Sequence, residues 1–445
     1  MLKGLPLYIC RTVLVIFFFH SLAASGQSDL SMYIDPVHGY TRDDLIKLAL
    51  ERNLDFLAIK QRSAEAQGFL NQAGLRPNPD FSISITDGAI LNSSGEREYS
   101  LSYTQKLELG GKRDHRVEVA DLALEIARYE IANRQRELVA ETKTAYVEAL
   151  AGIRNLKVLQ QTYALIQKTH EITIQRVKEG ESPSVEQGLT EAELGRLKAN
   201  VALAASEVES LILELKTLAG MPPEEPLFLK GEDDIQGPTV DVAELLQKAL
   251  TNRPDLLSAK VQEESAGAEI ALAKAEGISD VNAFAGYANS SSRFDQFGLN
   301  ESGALVPVSD RDNTISAGVS IQLPFFSRNQ GNIQAATARK QAAILKTRAL
   351  QRFIEQEVRS AVHRYNAAKE AVRILKTIVV PQSEKNLEVI RASYELGEVR
   401  FLDLIQEQRR ALEIHNSYTE VWKVYALSLI QLENKTGVQL AGKEE

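Results

Sequence analysis

Most of this chain is written twice, and a duplication of that length restricts it to an object built from two like halves. Leu45, Ala49, Leu50, Asp55, Leu57, Lys60, Ala66 and Ala73 return at an offset of 200 as Leu245, Ala249, Leu250, Asp255, Leu257, Lys260, Ala266 and Ala273. Farther along the offset is 216, where Leu107, Ala120, Ala127, Gln135, Arg136, Glu141 and Ala145 return as Leu323, Ala336, Ala343, Gln351, Arg352, Glu357 and Ala361. Toward the end it is 217, with Lys168, Glu171, Gly180, Glu181, Leu215 and Gly220 returning as Lys385, Glu388, Gly397, Glu398, Leu432 and Gly437. Each match is weak alone; the near-constant register carries the reading. Two long copies imply pseudo-symmetric halves, not a stack of short solenoid units.

Residues 1–26 stand outside the duplication. Lys3 and Arg11 flank an apolar run over 12–19, and the small residues of 21–26 follow. That pattern is a secretory signal peptide, too short and wrongly flanked for a spanning helix, with cleavage expected between Ala24 and Gln27. The one cysteine, Cys10, lies inside it, so the mature chain is expected to have no disulfide, thiolate metal site or thiol chemistry. Removing Lys3 and Arg11 takes the formal charge from −9 to −11, which argues against a nucleic-acid partner. No later segment reaches the roughly 18 apolar residues that a membrane helix needs.

Both halves, 27–220 and 239–437, run in the same order, joined by a Pro-rich connection over 221–238 and followed by a tail over 438–445. Each opens with a helix whose first residues have capping-box spacing: Thr41 with Asp44, and Asp241 with Glu244. A period-two stretch follows. Phe81, Ile83 and Ile85 alternate with small polar residues, as do Tyr99, Leu101 and Tyr103 after a polar loop over 88–97. The second half repeats this with Val281, Ala283, Ala285 and Tyr287, and then Ile315, Ala317, Val319, Ile321 and Leu323. Alternation over about 7–11 residues predicts one β-hairpin per half, at about 80–105 and 281–323. A very long helix comes next. Residues 112–178 contain no proline and one glycine, Gly152, and would extend roughly 100 Å. After a tip at Gly180 a return helix covers about 184–218. The second copy predicts a helix over 332–396, with a kink near Pro381, a tip at Gly397 and a return over 399–435.

Helices this long need side-by-side neighbours to bury their apolar stripes, as coiled coils do. On the helices alone, a coiled-coil scaffold is an equal reading. The strands decide otherwise. Four strands with one apolar face suit a tilted membrane crossing, yet the smallest outer-membrane barrels use about eight. An open sheet in hydrocarbon would leave backbone groups unpaired at its edges. Copies must therefore associate: two give eight strands, and three give twelve with room for a water-filled lumen. Soluble hairpins capping a helical bundle remain the competing arrangement.

The order helix, hairpin, long helix, tip and shorter helix, all repeated over about 38–440, resembles the TolC family of outer-membrane efflux channels. Leu75-Arg-Pro-Asn-Pro79, Leu107-Glu-Leu-Gly-Gly-Lys-Arg113 and Leu323-Pro-Phe-Phe-Ser-Arg-Asn-Gln-Gly-Asn332 are similar to the branch serving cobalt, zinc and cadmium efflux. The resemblance implies a mainly α-helical homotrimer in the outer membrane of a Gram-negative bacterium. Its two hairpins per chain would contribute to a twelve-stranded transmembrane barrel, and its duplicated coiled-coil helices would form a periplasmic α-barrel. It also implies a periplasmic adaptor and a resistance–nodulation–division pump as partners, with drug efflux or protein secretion as the alternative cargo. Many relatives carry a lipidated N-terminal cysteine; the expected mature chain has none.

Glu171 and Glu388 are repeat equivalents, each nine residues before a tip glycine. By the resemblance, Glu388, Glu384 and Glu171 are candidates for a periplasmic aperture, where a ring of carboxylates favours cations. The same residues also suit a solvated helix face with Lys168 and Lys385 as i,i+3 partners. Gly180, Glu181, Gly397, Glu398 and Arg400 are candidate adaptor contacts, and the glycines equally suit helix reversal. Asp403 reads as an early-turn helix residue and Trp422 as helix packing. The six histidines show no ligand spacing, and no nucleophile–base pair, metal motif or cofactor loop is present, so an enzyme is not expected.

Overall fold

The computed structural model describes residues 32–88, 96–231 and 237–440. The expected signal peptide with Cys10, most of the first hairpin's loop and the last residues of the tail lie outside the described residues. Helices α1 (Arg42–Arg52) and α2 (Leu54–Ala73) lead into strands β1 (Asp80–Asp87) and β2 (Glu96–Leu107). Helices α3 (Lys112–Lys178) and α4 (Ser184–Leu218) complete the first half. The second half repeats the order with α5 (Val242–Asn252), α6 (Pro254–Glu276), β3 (Val281–Leu299), β4 (Leu305–Ile321), α7 (Gln330–Ile374), α8 (Val380–Glu395) and α9 (Phe401–Thr436).

The opening helix of each half is broken in two, which the apolar spacing did not reveal. Asn53 and Arg253, 200 positions apart, both adopt extended backbone at the break. Asn53 caps α2 by accepting from the Phe56 N–H at 2.9 Å, and its Nδ2 donates to the Leu218 carbonyl at 3.1 Å. Arg253, followed by Pro254 at the first helical position, donates to the Lys435 carbonyl at 3.1 Å. Leu218 and Lys435 are themselves 217 positions apart, so the duplication extends to single hydrogen bonds. The Thr41–Asp44 box forms as the spacing predicts. Its repeat mate does not: Asp241 accepts from the Ala243 N–H, while Glu244 pairs with Lys248 at 2.6 Å.

The second long helix also departs from a single span. A π-helical turn over Leu375–Val379 separates α7 from α8. Pro381 has no N–H to give the Thr377 carbonyl, and its ring crowds that carbonyl. Widening the preceding turn relieves both problems.

Of the four apolar clusters among the described residues, the two largest take one half each, and α9 serves both. Leu45, Tyr146, Ile153, Leu156, Val208 and Leu215 gather around Trp422 and Ala426. Leu245, Leu256, Ile354, Val358 and Tyr365 gather around Tyr425 and Leu432. Trp422 is 3% exposed, with the Arg154 guanidinium 3.7 Å above its ring, so it is a packing residue as expected. The Pro-rich connection is tied down. The Leu229 N–H donates to the Tyr33 carbonyl at 2.8 Å, and Lys230 N–H to that of Tyr40 at 3.0 Å.

The four strands form one antiparallel sheet in the order β1-β2-β3-β4, leaving β1 and β4 as free edges. The main packing between the halves runs one way. β2 pairs with β3, and α3 packs on α6 and α9. The repeat-equivalent contacts would be β4 with β1, and α7 with α2 and α4. No comparable packing of these pairs occurs among the described residues.

Candidate functional site

Two regions carry the chemistry: the sheet, and the helical tips, the second of which is backed by the apolar cluster of Tyr394, Phe401 and Leu404. In the sheet, side chains alternate as the pleat requires. Phe81, Ile83 and Ile85 share one face with Tyr103, Leu101, Tyr99, Ala285, Tyr287, Ala317 and Ile315. These apolar side chains stand in the open: Ile83 is 67% exposed and Ile315 83%. The other face is polar, where Ser82 meets Ser102 at 2.7 Å and Ser84 meets Ser100 at 2.8 Å. Exposed Phe325 and Phe326 follow β4 where the sheet gives way to helix.

The strands of the second hairpin, 19 and 17 residues, are longer than their alternation predicts. Beyond Asn289 and Asn313 the next four residues of each strand are polar on both faces, and the exposed apolar ones farther out, Phe294, Phe297, Leu299, Leu305, Val306 and Val308, sustain no period of two. Cross-strand pairing alone continues the strands, through a register shift between Arg293 and Phe297 to the pair Leu299–Leu305.

At the opposite end, both tips have the same geometry. Gly180 and Gly397 hold φ of 78° and 80°. At the first tip, the Glu181 N–H donates to the Arg176 carbonyl at 2.8 Å and Gly180 N–H to that of Val177 at 3.2 Å. At the second, Glu398 donates to Ser393 at 2.9 Å and Gly397 to Tyr394 at 3.0 Å. This is the Schellman closure, and its left-handed residue is where glycine is cheapest. Arg400, at the N-cap of α9, donates its backbone N–H to the Asp403 carboxylate at 3.3 Å. Asp403 is thus a first-turn residue, as its place in the sequence implies.

Glu171, Glu384 and Glu388 are all exposed. Among the described residues neither Glu171 nor Glu388 has an ion-pair partner, so the anticipated pairs with Lys168 and Lys385 do not form. Glu384 lies 3.6 Å from His415 Nε2. Glu384 and Glu388 lie one turn apart on α8, and no group of three ligating side chains among the described residues could hold a metal ion.

What sequence reasoning missed is the clamp joining the two helical hairpins. Glu193 on α4, 5% exposed, accepts from Arg196 at 2.5 Å and from Arg409 on α9 at 2.7 Å. The hydrogen bond from Arg196, seconded by Arg409, holds its carboxyl below the usual range against the opposing effect of burial. Nearer the tip the Arg176 guanidinium lies 5.1 Å from the Tyr394 ring centre, and His170 meets Thr190 at 2.5 Å. The available signal was a charge at an apolar-stripe position, Glu193 between Thr190 and Leu197.

A duplicated chain, long paired helices and an open sheet with one apolar face can be compared with known proteins. The model of the family described as outer membrane efflux protein matches residues 45–221 and 245–438, most of the chain. The chain belongs to the outer membrane efflux protein family. It is similar to the cobalt-zinc-cadmium resistance protein CzcC of Cupriavidus metallidurans, 22% identical over 92% of this chain and 94% of that one. It is also similar to the outer membrane protein TolC of Vibrio cholerae, 23% identical over 69% of each chain. Its fold matches the solved structure of CusC with a TM-score of 0.72 at 17% identity, covering 92% of this chain and 96% of that one. As a family member it is an efflux channel of the Gram-negative outer membrane extending into the periplasm, which places the sheet in the membrane and the tips below it.

Proposed function

We propose that three copies of this chain close into a conduit through which heavy-metal cations leave the cell. An inner-membrane pump of the resistance–nodulation–division type and a periplasmic adaptor would supply the cargo. The observation that carries this reading is the one-way run of the main packing between halves. The β2–β3, α3–α6 and α3–α9 contacts have repeat mates that find no comparable packing among the described residues. A head-to-tail neighbour would supply all three, and a rotation that closes gives a ring. Three chains bring twelve strands, enough for an aqueous lumen, and leave no edge in hydrocarbon.

The cargo assignment rests on near-full-length similarity to CzcC, whose name specifies cobalt, zinc and cadmium. The chain's own residues bear on passage, not on chemistry: the family conducts and no reacting group is invoked. Threefold repetition of Glu388, Glu384 and Glu171 would place carboxylates around the periplasmic entrance, favouring cations. Freedom from lysine partners supports that role for Glu171 and Glu388. The tips at Gly180, Glu181, Gly397, Glu398 and Arg400 would meet the adaptor.

Deleting the gene should lower tolerance to at least one of zinc, cobalt and cadmium. Intact metal tolerance with lost tolerance to hydrophobic drugs would defeat the cation assignment and favour the cargo class suggested by the likeness to TolC. In planar bilayers, Glu388→Ala should move the reversal potential toward lower cation preference. An unmoved potential would remove Glu388 from the aperture.

A further inference from the structure

Above the apolar belt, the strands sort charge by sign. One row reads Asp87–Arg97–Ser291–Arg311 across β1 to β4, and the next pair along the ribbon on that same face is Arg293–Ser309. Parity puts these residues on the face that carries Ile85, Tyr99, Tyr287 and Ile315. The intervening rows, on the polar face, read Glu98–Ser290–Asp312 and Glu96–Ser292–Asp310. Three arginines and one aspartate thus stand on the apolar side, and four carboxylates without a cation on the other. Shifting either set by one residue would have paired these charges across strands. The pleat keeps them apart.

Arg97 reaches Asp87 at 3.2 Å. Among the described residues Arg293 and Arg311 have no ion-pair partner, and both are exposed. Neighbouring strands lie about 4.8 Å apart, so Arg97 and Arg311, two strands apart in one row, are separated by about 10 Å. Arg293 stands about 7 Å along β3 from that row. Like charges at this spacing repel, and a phosphate ester offsets that repulsion. The guanidinium fork matches phosphate oxygens bidentately. Arg97 is two residues past Tyr99 and Arg311 four past Ile315. At a tilt near 40° these steps lift them about 5 and 10 Å above the belt. That is the depth at which headgroups meet a barrel wall.

We propose that Arg97, Arg293 and Arg311 form a docking patch for the phosphate groups of the outer-leaflet glycolipid, continuous with the belt that meets its acyl chains. The proposal rests on the channel reading, since it needs this face to be the lipid side. It commits to a lipid-borne phosphate because the patch adjoins the belt and faces away from the lumen.

The test uses the full mature chain in detergent, titrated with diphosphoryl lipid A, dephosphorylated lipid A or inorganic phosphate, with bound lipid counted by native mass spectrometry. The patch predicts about tenfold preference for the diphosphoryl form, lost in Arg293→Ala/Arg311→Ala and partly kept in Arg293→Lys/Arg311→Lys. Glu98→Gln/Asp312→Asn, on the opposite face, should leave the preference unchanged. Equal affinity for the two lipids, an equal effect of the opposite-face variant, or displacement of lipid A by inorganic phosphate at matched concentration would each overturn the patch. Vesicle flotation separates the two readings. Wild-type chain that floats but shows no preference defeats only the patch, whereas wild-type chain that does not float defeats the membrane reading with it.

Discussion

Lys143 and Glu433 meet at 2.6 Å between α3 and α9, with less than a tenth of either side chain exposed. The second Glu433 oxygen accepts the Leu440 N–H at 2.8 Å. Removing one partner of such a pair strands a charge, so Lys143→Ala should cost about 3 kcal/mol in denaturant unfolding of the helices. Replacing both partners by apolar side chains should recover most of that loss. Glu193 makes the pH argument. Its carboxyl is held low in the folded chain, so its contribution is complete above the ordinary glutamate range and is lost as pH falls through the depressed value. Hydrogen exchange over 190–197 and 404–411, corrected for intrinsic rate, should rise on acidification below that range. Arg409→Ala should bring the rise at higher pH. Neither pair was legible beforehand. The partners are 290 and 216 positions apart, and although the stripe position of Glu193 signals burial, nothing local in the sequence names the residue that meets it.

At the scale of elements, periodicity worked where one face is apolar and failed where it is not. The duplicated order of helix, hairpin and long helices was readable because Leu, Ile and Ala recur at helical spacing and Phe81, Ile83 and Ile85 at spacing two. The breaks at Asn53 and Arg253 were hidden because apolar residues continue across them. The outer parts of β3 and β4 were hidden because a run polar on both faces, 290–293 and 309–312, interrupts the alternation and the apolar residues beyond it resume no steady period. Pro381 was a visible signal, and its consequence is a π turn two residues upstream. Pro381→Ala should restore the Thr377 acceptor pairing and slow hydrogen exchange over 375–379; unchanged exchange would assign the π turn to packing instead. The tip glycines are a further element-level test. Gly397→Ala places a side chain at φ 80° and should cost about 1 kcal/mol in unfolding.

At the scale of the molecule, one chain is an incomplete wall. Its sheet ends in two open edges, β1 and β4, and its main contacts from the first half to the second have repeat mates that are missing among the described residues. The apolar belt, the sign-sorted charges above it and the tips below it all take their meaning from that closure. Its most direct measurement is the mass of the particle extracted from outer membranes in mild detergent. Three chains per particle is the predicted result. A one-chain particle, stable without detergent and with the β1 and β4 amides exchanging freely, would contradict the account.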